Sequence, residues 1–412
     1  MPDIKKLLPL VIAAAACLPG IFLRLFHVEL SPPAMATLTG ASILGASFLL
    51  TWACDVAQED IPQTLALAVV ALIAVLPEYA VDMYFTWQAG QYPESDYAHY
   101  AIANMTGANR LIIGVAWVTI VGLFWLRTRR AVELEEERRT ELLFLGLATL
   151  YAFAIPIKGS LAWYDGLVFV AIYAWYIYLA SRRPCTACEF EGPAELIARL
   201  PRGQRRLATL GLFAFAAAII LACAEPFSEN LVASGKVLGI NEFLLVQWLA
   251  PIASEAPEFI VSILFVLRGH AGIALGSLLS AKLNQWTLLV GMIPGVYGVS
   301  SGSFAQPIPM NSIQMHEILL TAAQSLLAVV LLVGMRLSMR GAIVLFALFI
   351  GQFLAPVWSD FLAAAGVNLD PDSIHMGFSM AYIGLALMLM AVRLTELRAL
   401  WRGALVPARA AK

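Results

Sequence analysis

The chain has 412 residues, of which 60% are hydrophobic and only 13% charged. Soluble domains carry about a quarter charged residues, so this composition excludes an ordinary soluble protein and points to one embedded in a bilayer. A net charge of -2 gives no basic surface for nucleic acid, and so few charges make their positions informative.

Runs of about 20 apolar residues mark membrane-spanning helices. In chain order they fall near 7–26, 34–56, 63–88, 98–126, 141–157, 161–181, 207–233, 240–267, 271–299, 314–334, 340–362 and 374–394. The first follows Lys5 and Lys6 and imitates a signal peptide, with an Ala-rich stretch ending at Cys17. Its apolar run continues through Leu25 and further apolar segments follow directly, so it reads as a retained span. Pro156 and Gly159 separate the fifth run from the sixth. The segment from Arg127 to Glu141 mixes charge with helix formers and reads as a solvated helical extension. The stretch 182–206 holds Pro184, Gly192, Pro193, Pro201 and Gly203 and reads as a linker. The expected fold is all-α, a polytopic membrane bundle of about 10–12 helices with an inverted repeat and broken helices at its centre. Its parts are an extra helix at 1–30, halves at 31–181 and 207–365 around the linker, and an extra helix and tail at 366–412.

Basic residues collect on the cytoplasmic side of membrane proteins. Arg127, Arg129, Arg130, Arg138 and Arg139 follow the fourth run, and Arg182, Arg183, Arg199, Arg202, Arg205 and Arg206 follow the sixth. Arg336 and Arg340 follow the tenth; Arg393, Arg398, Arg402, Arg409 and Lys412 follow the last. All share a side with Lys5 and Lys6, whereas the opposite loops, with Glu94, Asp96, Asp370 and Asp372, are nearly free of bases. Twelve spans with both termini cytoplasmic satisfy this pattern, and the short loops suit a bacterial inner membrane.

Two of these runs carry a proline followed at once by a glutamate: Pro77-Glu78 and Pro257-Glu258. Proline removes a helical hydrogen bond and frees a carbonyl. A carboxylate at bilayer depth is costly and rarely faces lipid. The pairing is tolerated where interrupted helices line a cavity and bind something. The first pair lies in the third span and the second in the eighth. Five spans apart, they cross the membrane in opposite directions, which makes the duplication an inverted one.

The residues after each pair strengthen the case. In the first half Ala103, Asn104, Thr106, Gly107, Asn109 and Arg110 follow; in the second, Gly276, Ser277, Ser280, Lys282, Asn284 and Gln285. Together these segments resemble the two α-repeats of the cation/calcium exchanger superfamily, in which Pro-Glu is followed by a second helix with a Gly-Asn-x-x-Gly-Ser-Asn-like string. The resemblance implies that Glu78 and Glu258 are paired carboxylates gripping a divalent cation at mid-membrane, exchanged by alternating access against H+ or Na+. It implies a transporter rather than an enzyme, with no resident cofactor, and partners limited to the lipid bilayer and inorganic cations. Calcium takes six to eight hard oxygen ligands. Beside Glu78 and Glu258, the oxygens of Asn104, Asn109, Thr106, Ser254, Ser277 and Gln285 and the carbonyls of Ala74 and Ala253 are candidates.

The chain departs from the family pattern in several places. Sodium-coupled members carry Gly-Thr-Ser before Pro-Glu in both repeats; here the first has Ala74-Val75-Leu76, and the loss of hydroxyls favours protons. Carboxylates in a low-dielectric site exchange a proton for a metal readily. The last polar position of the string falls on Ile112 and on Gln285, and Lys282 replaces an asparagine. Glu78, Asp82, Glu255 and Glu258 lie within a turn of the prolines, with Arg110 and Lys282 on the following helices. Six isolated charges at about 2.5–3.5 kcal/mol each would exceed a typical protein's stability, so they must pair, protonate or bind ions. Arg110 is expected to pair with Asp82. Lys282 reads either as a tethered cation filling a sodium position or as a partner of Glu255.

The remaining chemistry is sparse. Glu225 and Glu229, one turn apart, read as access-path or membrane-edge acids, Asp55 and Glu59 as the end of the second span, and His316 and Glu317 as a helix entry. Cys17, Cys54 and Cys223 lie in apolar runs and read as packing residues, while Cys185 and Cys188 form a C-x-x-C without a second ligand pair. Gly298-Val299-Ser300-Ser301-Gly302 matches the G-x-S-x-G string of a serine hydrolase, which requires a strand-turn-helix setting. No nucleotide-binding motif is present. An exchanger fold repurposed for a monovalent cation or another ion is the principal alternative.

Overall fold

The computed structural model describes residues 2–61, 73, 75–182, 190 and 192–405. In chain order the helices are α1 (Pro2–Phe26), α2 (Pro32–Ala57), α3 (Leu76–Gln91), α4 (Tyr97–Leu111), α5 (Val118–Thr128), α6 (Arg139–Ala152), α7 (Ala154–Lys158), α8 (Trp163–Ala180) and α9 (Pro193–Ala198). There follow α10 (Arg202–Leu238), α11 (Glu242–Leu267), α12 (Ala271–Asn284), α13 (Val290–Ser300), α14 (Ser312–Leu332), α15 (Met339–Phe353), α16 (Ala355–Ala364), α17 (Pro371–Val392) and α18 (Leu394–Leu405). Among the described residues, nine helical spans are long and apolar enough to cross a membrane, and a tenth arises if α15 and α16, bent by 64°, count as one. The protein is thus an all-α membrane bundle. The run expected at 63–88 lies partly outside the described residues, as do the Ala74 carbonyl, Arg183, Cys185, Cys188, Arg409 and Lys412.

The chain forms two compact units, each drawing on both halves of the sequence. Among the described residues, one draws on positions up to 88 and on 177–258; the other draws on 89–176 and on positions from 259 onward.

In the first unit α1, α2 and α10 pack through small residues. Apolar lipid provides no hydrophobic drive between helices, so close backbone approach supplies the attraction. A Cβ on Gly45 would lie 2.6 Å from the Ala13 carbonyl, and one on Gly40 2.9 Å from the Phe227 ring. The Gly20 amide donates to Ser42 Oγ at 2.9 Å, and that hydroxyl donates to the Ala16 carbonyl at 2.9 Å. The Cys17, Cys54 and Cys223 side chains are buried. Gly239, at φ 67°, ends α10 in the left-handed conformation that glycine adopts without penalty. Lys6 pairs with Glu195, tying α1 to α9. At the end of α2, the Asp60 carboxylate accepts two bonds from Arg205, at 2.6 and 2.9 Å, and one from Arg206 at 3.2 Å.

In the second unit α6 and α7 run to Lys158, where Gly159 (φ 72°) turns the chain toward α8. Asp165 holds that turn, accepting from Lys158, from Tyr151 at 2.7 Å and from the Ala162 amide at 2.7 Å. Asn311 and Gln314 form a reciprocal capping box at the start of α14, and Asp370 caps α17 ahead of Pro371.

The segment from Arg127 to Glu141 is not the solvated helical extension its composition suggests. Arg129 adopts φ 57° and ends α5, and Val132–Glu133 (β1) pairs antiparallel with Arg336–Leu337 (β2). Val132 and Leu134 are buried while Glu133 and Glu135 are exposed, the period-2 alternation of a half-buried strand. Gly272 and Gly276, one turn apart on α12, make room for this ribbon. A Cβ on Gly272 would meet the Glu133 carbonyl at 2.6 Å, and one on Gly276 would meet Arg138 Nε at 2.9 Å. Arg138 donates to Glu141 at 2.8 and 3.0 Å and to Ser280 Oγ at 3.0 Å, and the Tyr176 hydroxyl donates to Glu141 at 2.9 Å.

The hydrogen bonds from Arg205 hold the Asp60 carboxyl at about 2, below its usual range. A lowered pKa contributes stability that is complete above the unfolded value near 4 and is lost as pH falls through the folded value. Asp60→Asn is therefore expected to lower stability by about 1 kcal/mol at neutral pH. The difference from wild type should vanish between about pH 4 and pH 2, as followed by thermal melting in detergent.

Candidate ion-binding site

The Pro-Glu residues, with four acids in all, belong to the first unit. Glu78 occupies the first turn of α3 and Asp82 follows one turn later; both side chains are buried. Glu255 and Glu258 share one turn of α11 and are partly buried. The chain leaves this unit at Gln88 and again at Glu258, within the two Pro-Glu helices themselves. α11 stays helical through Pro251 and Pro257 rather than unwinding at them. Proline 257 lacks the amide that would bond the Ala253 carbonyl, so that oxygen is the one freed beside Glu258. The Ser254 hydroxyl, in the same turn, donates back to the Ala250 and Pro251 carbonyls at 3.4 and 3.2 Å, which leaves its lone pairs for a cation. Glu229 is tied to the first Pro-Glu helix, because the Tyr84 hydroxyl donates to it at 2.6 Å. Glu225 lies 3.5 Å from Arg24.

The helices that follow the Pro-Glu elements belong to the second unit and share a feature absent from the sequence reading. After α4 the chain forms a π-helical segment, Ile112–Trp117, before α5; after α12 it forms another, Gln285–Leu289, before α13. Both α5 and α13 are 11 residues long. Such π-bulges are rare and concentrate at functional sites. Aligning their first residues matches Ile112 with Gln285, Asn109 with Lys282, and Asn104 with Ser277.

Asn104, Asn109, Thr106 and Gln285 are buried, whereas Ser277 is exposed. Thr106 donates its hydroxyl to the Ile102 carbonyl at 2.7 Å. Among the described residues, both amide atoms of Gln285 lack a hydrogen-bond partner, a state buried amides rarely hold without water or an ion. The Asn109 side-chain oxygen accepts from Lys282 Nζ at 2.7 Å and its backbone oxygen accepts at 3.2 Å. Lys282 also lies over the Trp286 ring, 4.5 Å from its centroid. The tethered-cation reading of Lys282 thus has an amide oxygen and an aromatic face beside the ammonium.

Arg110 forms a buried ion pair with Glu317 of α14, whose other oxygen lies 3.0 Å from His375 Nδ1 on α17, a partner that the sequence did not suggest. His375 Nε2 in turn lies 3.1 Å from the Gln352 carbonyl. The reading of His316 and Glu317 as a helix entry is thus replaced for Glu317, since Asn311 and Gln314 perform the capping; His316 lies 3.4 Å from Asp372. The one sequence signal for this network was an acid at the start of a span most of whose other residues are apolar.

Among the described residues, no three His, Cys, Asp or Glu side chains gather as metal ligands. Calcium accepts hydroxyl, amide and carbonyl oxygens as well as carboxylates. Ser300 of the G-x-S-x-G string ends α13, and Gln91 Nε2 donates to its carbonyl at 2.7 Å and its hydroxyl at 3.2 Å. A helix terminus is not the strand-turn-helix elbow that a hydrolase uses.

Acids buried beside prolines and matched π-bulged helices in two halves of an all-α bundle define the class as an integral membrane transporter. The model of the sodium/calcium exchanger protein family matches residues 31–182 and 208–358, and the chain belongs to that family. The crystal structure of an H+/Ca2+ exchanger, CAX, is similar at 40% identity, covering 97% of this chain and 98% of that one with a TM-score of 0.90. Two more distant structures share the fold. The sodium-calcium exchanger NCX_Mj matches at 18% identity, with 83% of this chain and 97% of that one covered and a TM-score of 0.50. YfkE matches at 13% identity, with 82% and 96% covered and a TM-score of 0.60. No curated protein sequence matches the chain.

Removing one partner of a buried ion pair strands the other charge, at about 3–5 kcal/mol. Glu317→Gln and Arg110→Met are each expected to destabilise the protein by that amount. The Arg110→Met/Glu317→Leu double variant should lose less than the sum, measured as a double-mutant cycle on detergent unfolding.

Proposed function

We propose that the protein is a secondary antiporter that exchanges Ca2+, or a cation of similar size and hardness, for H+ by alternating access. The observation that carries this reading is the 40% identity to an H+/Ca2+ exchanger over 97% of the chain. Glu78 and Glu258 supply the two negative charges that a divalent cation neutralises. The Ala253 carbonyl and the Ser254 hydroxyl, in the same turn as Glu258, add neutral oxygens of the kind calcium prefers. When the metal leaves, protons restore neutrality, because a carboxylate in an apolar setting holds a proton more readily than a bare charge. The choice of H+ over Na+ rests on the Ala74-Val75-Leu76 sequence before Pro77, which offers no side-chain hydroxyl to a sodium ion. The charge pattern of the loops supports cytoplasmic termini in a bacterial inner membrane.

In proteoliposomes, a pH gradient is expected to drive uptake of radiolabelled Ca2+, and a sodium gradient at equal pH is not. Glu78→Gln and Glu258→Gln should each reduce that uptake by at least about 100-fold, equivalent to about 2.8 kcal/mol. Uptake unchanged in both variants would remove these carboxylates from the site.

A further inference from the structure

Lys282 and Asn109 occupy equivalent positions in the two repeats, each three residues before its π-helical segment. They also meet, through the 2.7 Å bond from Lys282 Nζ to Asn109 Oδ1 and the 3.2 Å bond to the Asn109 carbonyl. Equivalent side chains of a two-fold repeat meet only on its axis. Two oxygen-bearing side chains at that point would face each other across a space suited to a shared cation. Here one of the two is an amide and the other is itself a cation.

The surroundings fit a cation rather than a merely tolerated charge. Asn109 Nδ2 donates to the Met105 carbonyl at 2.8 Å, which fixes the amide so that its oxygen points at the ammonium. The Trp286 ring lies 4.5 Å from Nζ and offers its negative face. Both Lys282 and Asn109 are fully buried, so no bulk water shares the ammonium. An ammonium and an unhydrated alkali-metal ion present the same single charge to the same oxygens. Lysine does so as a compact point charge on a tether.

We infer that the two Asn109 oxygens and the Trp286 face form a monovalent-cation site that the Lys282 ammonium fills permanently. The protein thereby has a cation position that ions from solution never enter. The consequence for transport, one fewer coupling ion per cycle, rests on the antiport reading above; the binding test does not.

The test is equilibrium binding of radiolabelled Na+ to the purified full-length protein without Ca2+, together with Na+-dependent melting. Lys282→Asn, which places a second amide at the equivalent position, is expected to bind one more Na+ per chain than wild type. Its melting temperature should rise with Na+ but not with choline, and Na+ should stimulate its Ca2+ uptake about tenfold. Lys282→Gln serves as the second variant if the Asn variant does not fold. Wild-type Na+ binding in either folded variant, with no response of stability to Na+, would overturn the inference. So would failure of both variants to fold at every Na+ concentration, which would make the ammonium purely structural. Loss of Ca2+ transport in wild type alongside the extra Na+ site in the variant would sink the antiport reading and leave the site standing.

Discussion

A charge inside an apolar bundle must be neutralised where it sits, and that constraint organises this protein. Three bases of the second unit show how. Arg110 is answered by Glu317 and His375, Lys282 by the oxygens of Asn109 and the ring of Trp286, and Arg138 by Glu141 with Ser280 and Tyr176. The first unit carries Glu78, Asp82, Glu255 and Glu258. Arg110, which the sequence offered as a counter-charge for these acids, is bound to Glu317. These four acids lie within a turn of the two Pro-Glu elements. An excess of buried acid is what a carrier of hard cations requires, with protons standing in when no metal is bound.

The duplication is visible at two levels. In the sequence it is a repeated Pro-Glu in spans of opposite direction. In the structure it is a repeated π-helical segment, at Ile112 and at Gln285, each followed by a helix of 11 residues. The second level sets the register between the repeats, and the register is what brings Asn109 and Lys282 into correspondence. Departures from symmetry then become informative: Ile112 against Gln285, Asn104 against Ser277, and an amide against an ammonium.

Much of the fold was legible because spans are written in long apolar runs and turns in Pro and Gly. The helix after the linker, for example, extends from Arg202 to Leu238 where hydropathy alone suggests 207–233. Polar residues at both ends continue a helix that the hydropathy window cannot see. The ribbon at Val132–Glu133 was missed because its charge density masked the alternation of Val132, Glu133, Leu134 and Glu135. At the site, types and positions were readable, but partners were not. Arg110 and Glu317 are 207 residues apart, and no local pattern links them. The π-helical segments leave no signature in Ile112–Trp117 or Gln285–Leu289 that composition could disclose. Ser277, chosen for its place in the repeat string, is exposed, because one face of a helix in a bundle necessarily points outward.

The central claim is that Ca2+ and protons compete for the carboxylates of Glu78 and Glu258. Calorimetric titration of the purified protein with Ca2+, in buffers of different ionisation enthalpy, measures the protons released per metal bound. The account predicts a heat that depends on the buffer, corresponding to net proton release on Ca2+ binding at neutral pH. Ca2+ binding of equal heat in every buffer would mean that no proton leaves when the metal arrives, and would contradict it.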